Sequence, residues 1–104
     1  MATLFMESCD NENIDSFSTF YWNQTKCADP WGTGQNDSNL NTSSALKEFL
    51  EEKGINVLKI SFEDISNGDL TCDSCGCTTG IRIFVNIAEK DKDKLKKLGF
   101  EKLS

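Results

Sequence analysis

The chain has 104 residues, of which 38% are hydrophobic and 10% aromatic, which is enough for one modest core. Its formal net charge of −6 disfavours binding to nucleic-acid phosphates. The sequence contains no histidine, which excludes Ser-His and Cys-His nucleophilic sites and the histidine zinc motifs. We expect one domain over residues 15–104 behind a disordered tether at residues 1–14, with no enzyme activity and no bound cofactor.

The N-terminal stretch resembles the end of a bacterial lipoprotein signal, in which apolar residues and a small residue precede a lipid-bearing cysteine. Apolar residues 4–6 and Ser8 precede Cys9, and residues 10–13 carry acidic or amide side chains. Lipidation of Cys9 would also explain why the number of cysteines, 5, is odd. The alternative is a free cysteine in a frayed tail.

A first strand is predicted over residues 17–23, where the side chains alternate between the two faces of a sheet. The only proline lies in a predicted turn at residues 27–31, and a long polar loop follows at residues 32–44. Helical periodicity then begins at about Ser44 and runs to residue 53. Gly54 supplies the left-handed position that ends a helix.

Residues 55–65 alternate as a half-buried strand, with Leu58, Ile60 and Phe62 predicted to point inward. The Asn-Gly pair at residues 67–68 favours a tight hairpin turn after this strand. The chain should therefore return antiparallel to it.

That return is predicted at residues 70–72, before a further strand whose inner face consists of Ile81, Ile83, Val85 and Ile87. A second helix is predicted from about Asp91. Together these elements predict an α+β fold, in which a small antiparallel sheet in meander order is packed by two helices in a single domain.

Four cysteines allow a disulfide framework, which is the first of three chemistries open to them. Cys72 and Cys77 flank a four-residue turn and can face each other across a hairpin, which leaves Cys75 at the tip to reach Cys27. The other pairings would close very small rings within the cluster or require a helical turn there. The predicted disulfides are therefore Cys27–Cys75 and Cys72–Cys77.

The second chemistry is a metal-thiolate site for zinc or copper(I), whose ligands would be Cys27, Cys72, Cys75 and Cys77. Its spacing is unusual, because a single Cys-x2-Cys knuckle is followed by Cys77 one residue further on. The third chemistry is thiol redox catalysis by Cys72 and Cys75. The carboxylate of Asp73 lies beside them and opposes the thiolate that this chemistry needs.

Two further segments of the sequence are Trp22-Asn23-x-Thr25-Lys26-Cys27-x-Asp29-Pro30-Trp31 and Cys72-x2-Cys75-x-Cys77. Together with residues 81–100, which extend the likeness over most of the chain, they resemble a group of short bacterial lipoproteins. The resemblance implies an exported protein that is tethered by a lipid and contains paired cysteines. It implies no activity and transfers no catalytic residue.

Residues 37–48 partly match the calcium loop of an EF-hand, with oxygen-bearing side chains at the ligand positions Asp37, Asn39, Asn41, Ser43 and Glu48. Position 6 of that loop requires glycine, and here it is Thr42. The same residues equally describe a polar loop that ends in a helix cap.

Three aromatic residues, Tyr21, Trp22 and Trp31, are candidates for a flat platform that binds a sugar or a peptide. The alternative is that they pack in the core, because large rings supply much of the buried area of a small domain. Trp31 is the strongest candidate for an exposed position, because it follows Pro30.

From these observations we expect a disulfide-stabilised binding or scaffold domain without catalytic activity, located in the periplasm, on the outer membrane or outside the cell. Its expected partner is a protein or a glycan at the cell surface, and its only expected contact with a membrane is a lipid anchor on Cys9. We expect no nucleic-acid partner and a monomer.

Overall fold

The computed structural model describes residues 17–65 and 72–103. Its elements in chain order are β1 (Phe17–Thr25), α1 (Asn39–Glu52), β2 (Val57–Asp64), β3 (Thr78–Ala88), a 3₁₀ turn (Glu89–Asp91), α2 (Lys92–Lys97) and β4 (Glu101–Lys102). The predicted tether, Cys9, the Asn-Gly turn and most of the predicted return at residues 70–72 lie outside the described residues. No helix in the described ranges is long and apolar enough to cross a membrane.

The four strands form one antiparallel sheet in the order β2-β3-β1-β4. The predicted α+β class, with one small antiparallel sheet and two helices, is confirmed. The strand order differs in detail from the predicted meander, because β2 pairs directly with β3 and β1 lies on the other side of β3. Burial explains this order, since β3 is the longest strand and buries three apolar side chains, and a central position gives it a neighbour on each edge.

The core lies between one face of the sheet and the helices. In the centre of the sheet, Val85 of β3 lies between Phe20 of β1 and Ile60 of β2. The buried core side chains are Phe20, Trp31, Leu46, Leu50, Ile55, Ile83, Val85, Ile87, Leu95 and Phe100. Full burial of a side chain of this size contributes about 1.5–3 kcal/mol, so this cluster is the main source of stability.

Helix α1 begins five residues before the predicted start, at Asn39 instead of Ser44. Ser38 caps it, because the Ser38 side chain accepts a hydrogen bond from the Asn41 N–H at 3.1 Å. The predicted end is confirmed: Lys53 is the C-cap, and Gly54 follows with φ of 80°. The sequence predicted a loop at the first turn of α1, because its polar side chains favour caps and turns as well as helix starts.

The early start of α1 also removes the calcium-loop interpretation. Asn39, Asn41 and Ser43 lie within the first turns of the helix. There their side chains radiate from the helix axis, whereas an EF-hand loop wraps its ligands around the ion.

Strand β2 contains a bulge that overturns one predicted inward position. Val57 pairs with Ile87, and Lys59 pairs with Asn86. Because Ile87 and Asn86 are adjacent in β3, Leu58 is an extra residue of β2 that has no partner in the β2–β3 register. Leu58 is 53% exposed, contrary to the prediction, while Ile60 and Phe62 pack against the core as predicted. Alternation over residues 58–62 does not reveal the bulge, because the change of phase shows only against Val57, which also packs on the core.

The C-terminal segment is held by a buried carboxylate. Asp91 is 2% exposed, and its Oδ2 accepts a hydrogen bond from the Asn56 N–H at 2.8 Å. This bond fixes the start of α2, whose Leu95 is buried as predicted. Strand β4, which was not predicted, pairs with β1 through only two residues.

Candidate functional site

Two disulfide bonds lie at one end of the domain: one joins the loop after β1 to the segment before β3, and the other closes a small ring within that segment. Cys27–Cys75 spans 48 residues with Cα atoms 4.5 Å apart, and Cys72–Cys77 spans 5 residues with Cα atoms 6.0 Å apart. Both separations are ordinary for disulfides. These are the two pairs that the sequence predicted.

Backbone hydrogen bonds run beside the disulfides and extend the pairing of β1 with β3. The Lys26 N–H donates to the Cys77 carbonyl at 2.9 Å, and the Cys27 N–H donates to the Cys75 carbonyl at 3.1 Å. The Lys26 ammonium also donates to the Cys72 carbonyl. The Cys27–Cys75 bond therefore fastens two segments that the sheet already brings together, and the Cys72–Cys77 bond closes the turn within one of them.

The loop between Cys27 and α1 is anchored by Asp29, which is 5% exposed. Its Oδ1 accepts hydrogen bonds from the Trp22 Nε1–H at 2.9 Å, from the Thr25 N–H at 3.1 Å and from the Thr25 hydroxyl at 2.7 Å. A buried carboxylate is costly unless such donors surround it, and here they come from one strand. Asp29 therefore ties this loop to the end of β1.

Gly34 lets the same loop approach the backbone of β1. A Cβ atom at this position would lie 2.1 Å from the Lys26 carbonyl oxygen, which is far inside any real contact. That same oxygen accepts a hydrogen bond from the Gln35 N–H at 3.0 Å. A side chain at residue 34 would therefore separate the loop from the strand.

The disulfides oppose both alternative sulfur chemistries. A metal-thiolate site needs ionised thiols, but all four sulfurs of Cys27, Cys72, Cys75 and Cys77 are held in disulfide bonds. A Cys-x2-Cys redox pair needs Cys72 and Cys75 to bond each other. In the structure each of them bonds a different cysteine.

The three candidate platform residues lie on two different faces of the sheet. Trp31 is 8% exposed, and its ring centroid lies 5.2 Å from that of Trp22 and 5.9 Å from those of Phe49 and Phe100. This cluster belongs to the core side of the sheet. Tyr21 points to the opposite side, so the three rings do not form one platform.

The side of the sheet turned away from the core, which we call the outer face, has side chains from three neighbouring strands in register. Its three rows across β1, β3 and β2 are Thr19–Asn86–Lys59, Tyr21–Phe84–Ser61 and Asn23–Arg82–Glu63. Of these residues, the sequence indicated only Tyr21 as a binding candidate. The rest follow from the pairing of β1 with β3, which joins segments far apart in the chain.

Contacts between neighbouring side chains organise the outer face. The rings of Tyr21 and Phe84 lie 6.5 Å apart, and the Arg82 guanidinium lies 4.3 Å from the centroid of the Tyr21 ring. The Arg82 Nε–H donates to the Asn23 Oδ1 at 3.1 Å. The central aromatic pair is therefore partly exposed and is flanked by a cation and an amide.

Two small clefts flank α1 on the core side of the sheet. One, of about 180 Å³, is lined by Pro30, Trp31, Ala45, Glu48, Phe49 and Glu52. The other, of about 210 Å³, is lined by Ser43, Lys47, Val57, Leu58, Lys59 and Ile60. Pockets for small molecules usually measure about 300–1,000 Å³, so the flat outer face is the better candidate for binding.

The chain matches no protein-family model, no curated protein and no solved structure. Its function has to be inferred from the disulfides and the outer face themselves.

Proposed function

We propose that the chain is an extracytoplasmic, disulfide-stabilised binding domain without catalytic activity, which presents its outer face to a protein or a glycan at the cell surface. In this proposal a lipid on Cys9 tethers the domain to a membrane. The observation that carries the proposal is the Tyr21–Phe84 pair, which is partly exposed at the centre of a face of mixed polarity.

The disulfides support the proposed compartment. Disulfide bonds persist in oxidising surroundings such as the periplasm and the cell exterior, and they are rare in a reducing cytosol. One of these bonds spans 48 residues, so its reduction would remove a long-range constraint from a small fold. A domain built in this way is suited to an oxidising compartment.

The composition of the outer face supports a binding role. Tyrosine, arginine and phenylalanine are enriched where protein interfaces concentrate their binding energy, and aromatic rings with adjacent amides also suit sugars. The Arg82 guanidinium lies over the Tyr21 ring and donates to Asn23, so the face offers a cation, an aromatic ring and an amide side by side.

The test is binding of the oxidised, fluorescently labelled domain to intact cells of its source, measured by flow cytometry. We expect saturable binding that the Tyr21→Thr/Phe84→Thr double variant weakens at least about tenfold, because residues of this kind dominate interfaces. Threonine keeps the strand propensity at both positions. Protease treatment of the cells should abolish binding to a protein partner, and periodate treatment should abolish binding to a glycan.

The matched control is Leu40→Ala, which removes a 75% exposed apolar side chain from α1, on the other side of the sheet. It should bind as the unaltered domain does. Unsaturable binding, or equal binding by the double variant, would refute the outer face as the site.

A further inference from the structure

Strand β2 forms one edge of the sheet. Among the described residues it pairs only with β3. An edge strand presents backbone N–H and C=O groups that can pair with a strand of another chain. After the bulge at Leu58, the register of β2 with β3 is regular from Lys59 to Asp64.

The backbone direction along β2 follows from a hydrogen bond just beyond its end. The Ile65 N–H donates to the Gly80 carbonyl at 2.8 Å, so the backbone groups of Ile65 point toward the β3 side. Successive residues of a strand point these groups to alternate sides. The backbone groups of Ser61 therefore point toward β3, and those of Ile60 and Phe62 point away from it, to the edge that no other described strand occupies.

Residues 59–63 are complementary to themselves when two copies lie antiparallel with Ser61 opposite Ser61. Ile60 then lies opposite Phe62, where the backbone groups of both strands meet to form hydrogen bonds. Lys59 lies opposite Glu63, and both are exposed on the outer face. Opposite charges in such cross-strand pairs stabilise the pairing, and twofold symmetry produces each pair twice.

We propose that two copies of this chain associate through β2, so that two four-stranded sheets become one continuous sheet. Ile60 and Phe62 support this, because both are only partly buried on the core side and would cover each other across the junction. This dimer replaces the monomer expected from the sequence, and it does not depend on the proposed binding partner.

Lysines and bulges on an edge strand often prevent it from pairing with another chain. Here Lys59 and the bulge at Leu58 instead favour one register of the two β2 strands in the dimer. The bulge at Leu58 lies outside the paired segment, and Lys59 finds the carboxylate of Glu63. A shift that places Phe62 opposite Phe62 would instead place Ile60 against the acidic Asp64.

The dimer also joins two outer faces, because Ser61 continues the row of Phe84 and Tyr21.

The first test is sedimentation equilibrium of the oxidised domain over a wide concentration range. We expect a monomer–dimer equilibrium. Lys59→Glu and Glu63→Lys should each weaken dimerisation roughly tenfold or more, because each turns both symmetric attractions into repulsions. The double variant K59E/E63K should restore it.

The control for charge is Lys96→Glu, an equal change at an exposed position of α2, which should leave dimerisation unchanged. Circular dichroism should show that all variants are folded. A monomer at every concentration, or a double variant as weak as the single ones, would overturn the proposal.

The second test fixes the register by cross-linking. In a Cys9→Ser background, Ser61→Cys should form a covalent dimer on mild oxidation, because Ser61 faces its own copy as a non-hydrogen-bonded pair. Ser44→Cys, at an exposed position of α1, is the control. Equal cross-linking of the two variants would contradict the proposed register. Binding of added peptides to the β2 edge in place of a second copy would contradict the dimer.

Discussion

The indole N–H of Trp22 donates to the carboxylate of Asp29 at 2.9 Å, which joins the aromatic cluster to the loop that carries Cys27. Trp22 lies near the C-terminal end of β1, and Asp29 lies two residues after Cys27. The core and the disulfide-linked end of the domain therefore depend on one buried carboxylate.

Replacing this carboxylate should destabilise the whole domain. Asp29→Ala leaves the Trp22 and Thr25 donors without their acceptor in a buried place, which should cost about 2–4 kcal/mol. Urea unfolding followed by tryptophan fluorescence measures it. Asp73→Ala, an exposed acidic position near the second disulfide, is the control, and an equal loss in both variants would show that Asp29 is not an anchor.

Gly34 should tolerate no side chain. Gly34→Ala places a Cβ atom 2.1 Å from the Lys26 carbonyl oxygen, so the loop must move away from the strand. We expect a loss of about 1–3 kcal/mol in thermal or urea unfolding. Gly76→Ala is the matched control, because its Cβ atom would have no neighbour within 4 Å. Equal stability of the two variants would contradict the close approach of this loop.

The two disulfides should contribute unequally to stability. In the chain-entropy model, the 48-residue link contributes about 4 kcal/mol and the 5-residue link about 2 kcal/mol. Cys27→Ala/Cys75→Ala should therefore lower the unfolding free energy more than Cys72→Ala/Cys77→Ala does. Cys9→Ser should have almost no effect on the soluble form. Equal losses for the two double variants would argue against loop closure as the source of the stability.

Acid should weaken a contact between β1 and the 3₁₀ turn. The Ser18 hydroxyl donates to Glu89, and this bond, followed by the Lys92 ammonium 2.9 Å away, holds the Glu89 pKa below its ordinary value of 4.5. Because the folded pKa is the lower one, the contribution is complete above the unfolded pKa and disappears as the pH falls through the folded pKa.

The measurement is the melting temperature of the unaltered domain and of Glu89→Gln as a function of pH. At neutral pH the variant should melt lower. The two curves should begin to converge below about pH 4.5, and they should meet once the pH has fallen through the lower folded pKa, where the unaltered carboxyl becomes neutral. Parallel curves over the whole range would show that Glu89 does not contribute in this way.

Local signals in the sequence predicted local structure well. Gly54 ended α1 at the expected place because a left-handed C′ position is encoded by a few adjacent residues. The disulfide pairing was also accessible, since ring size within residues 72–77 leaves few choices. The start of α1 was missed because residues 38–43 contain serine, asparagine and threonine, which suit a cap, a loop or a first helical turn equally.

Pairing between distant strands could not be read from the sequence. The position of Phe84 beside Tyr21 depends on the register of β1 with β3, which only the assembled core determines. Grouping Tyr21 and Trp22 in one candidate platform was a different error, because neighbouring residues of a strand point to opposite faces whatever the strand pairs with. Neither the outer face nor the β2 edge is visible until the strand order is known.

The most direct measurement of the central claim is the redox state of the protein recovered from its own source, with free thiols blocked at lysis. Intact mass, followed by partial reduction, differential alkylation and peptide mapping, identifies every linked pair. We predict Cys27 linked to Cys75 and Cys72 linked to Cys77. Alkylated thiols at these four positions, or a bond between Cys72 and Cys75, would contradict a disulfide-stabilised extracytoplasmic domain of this architecture.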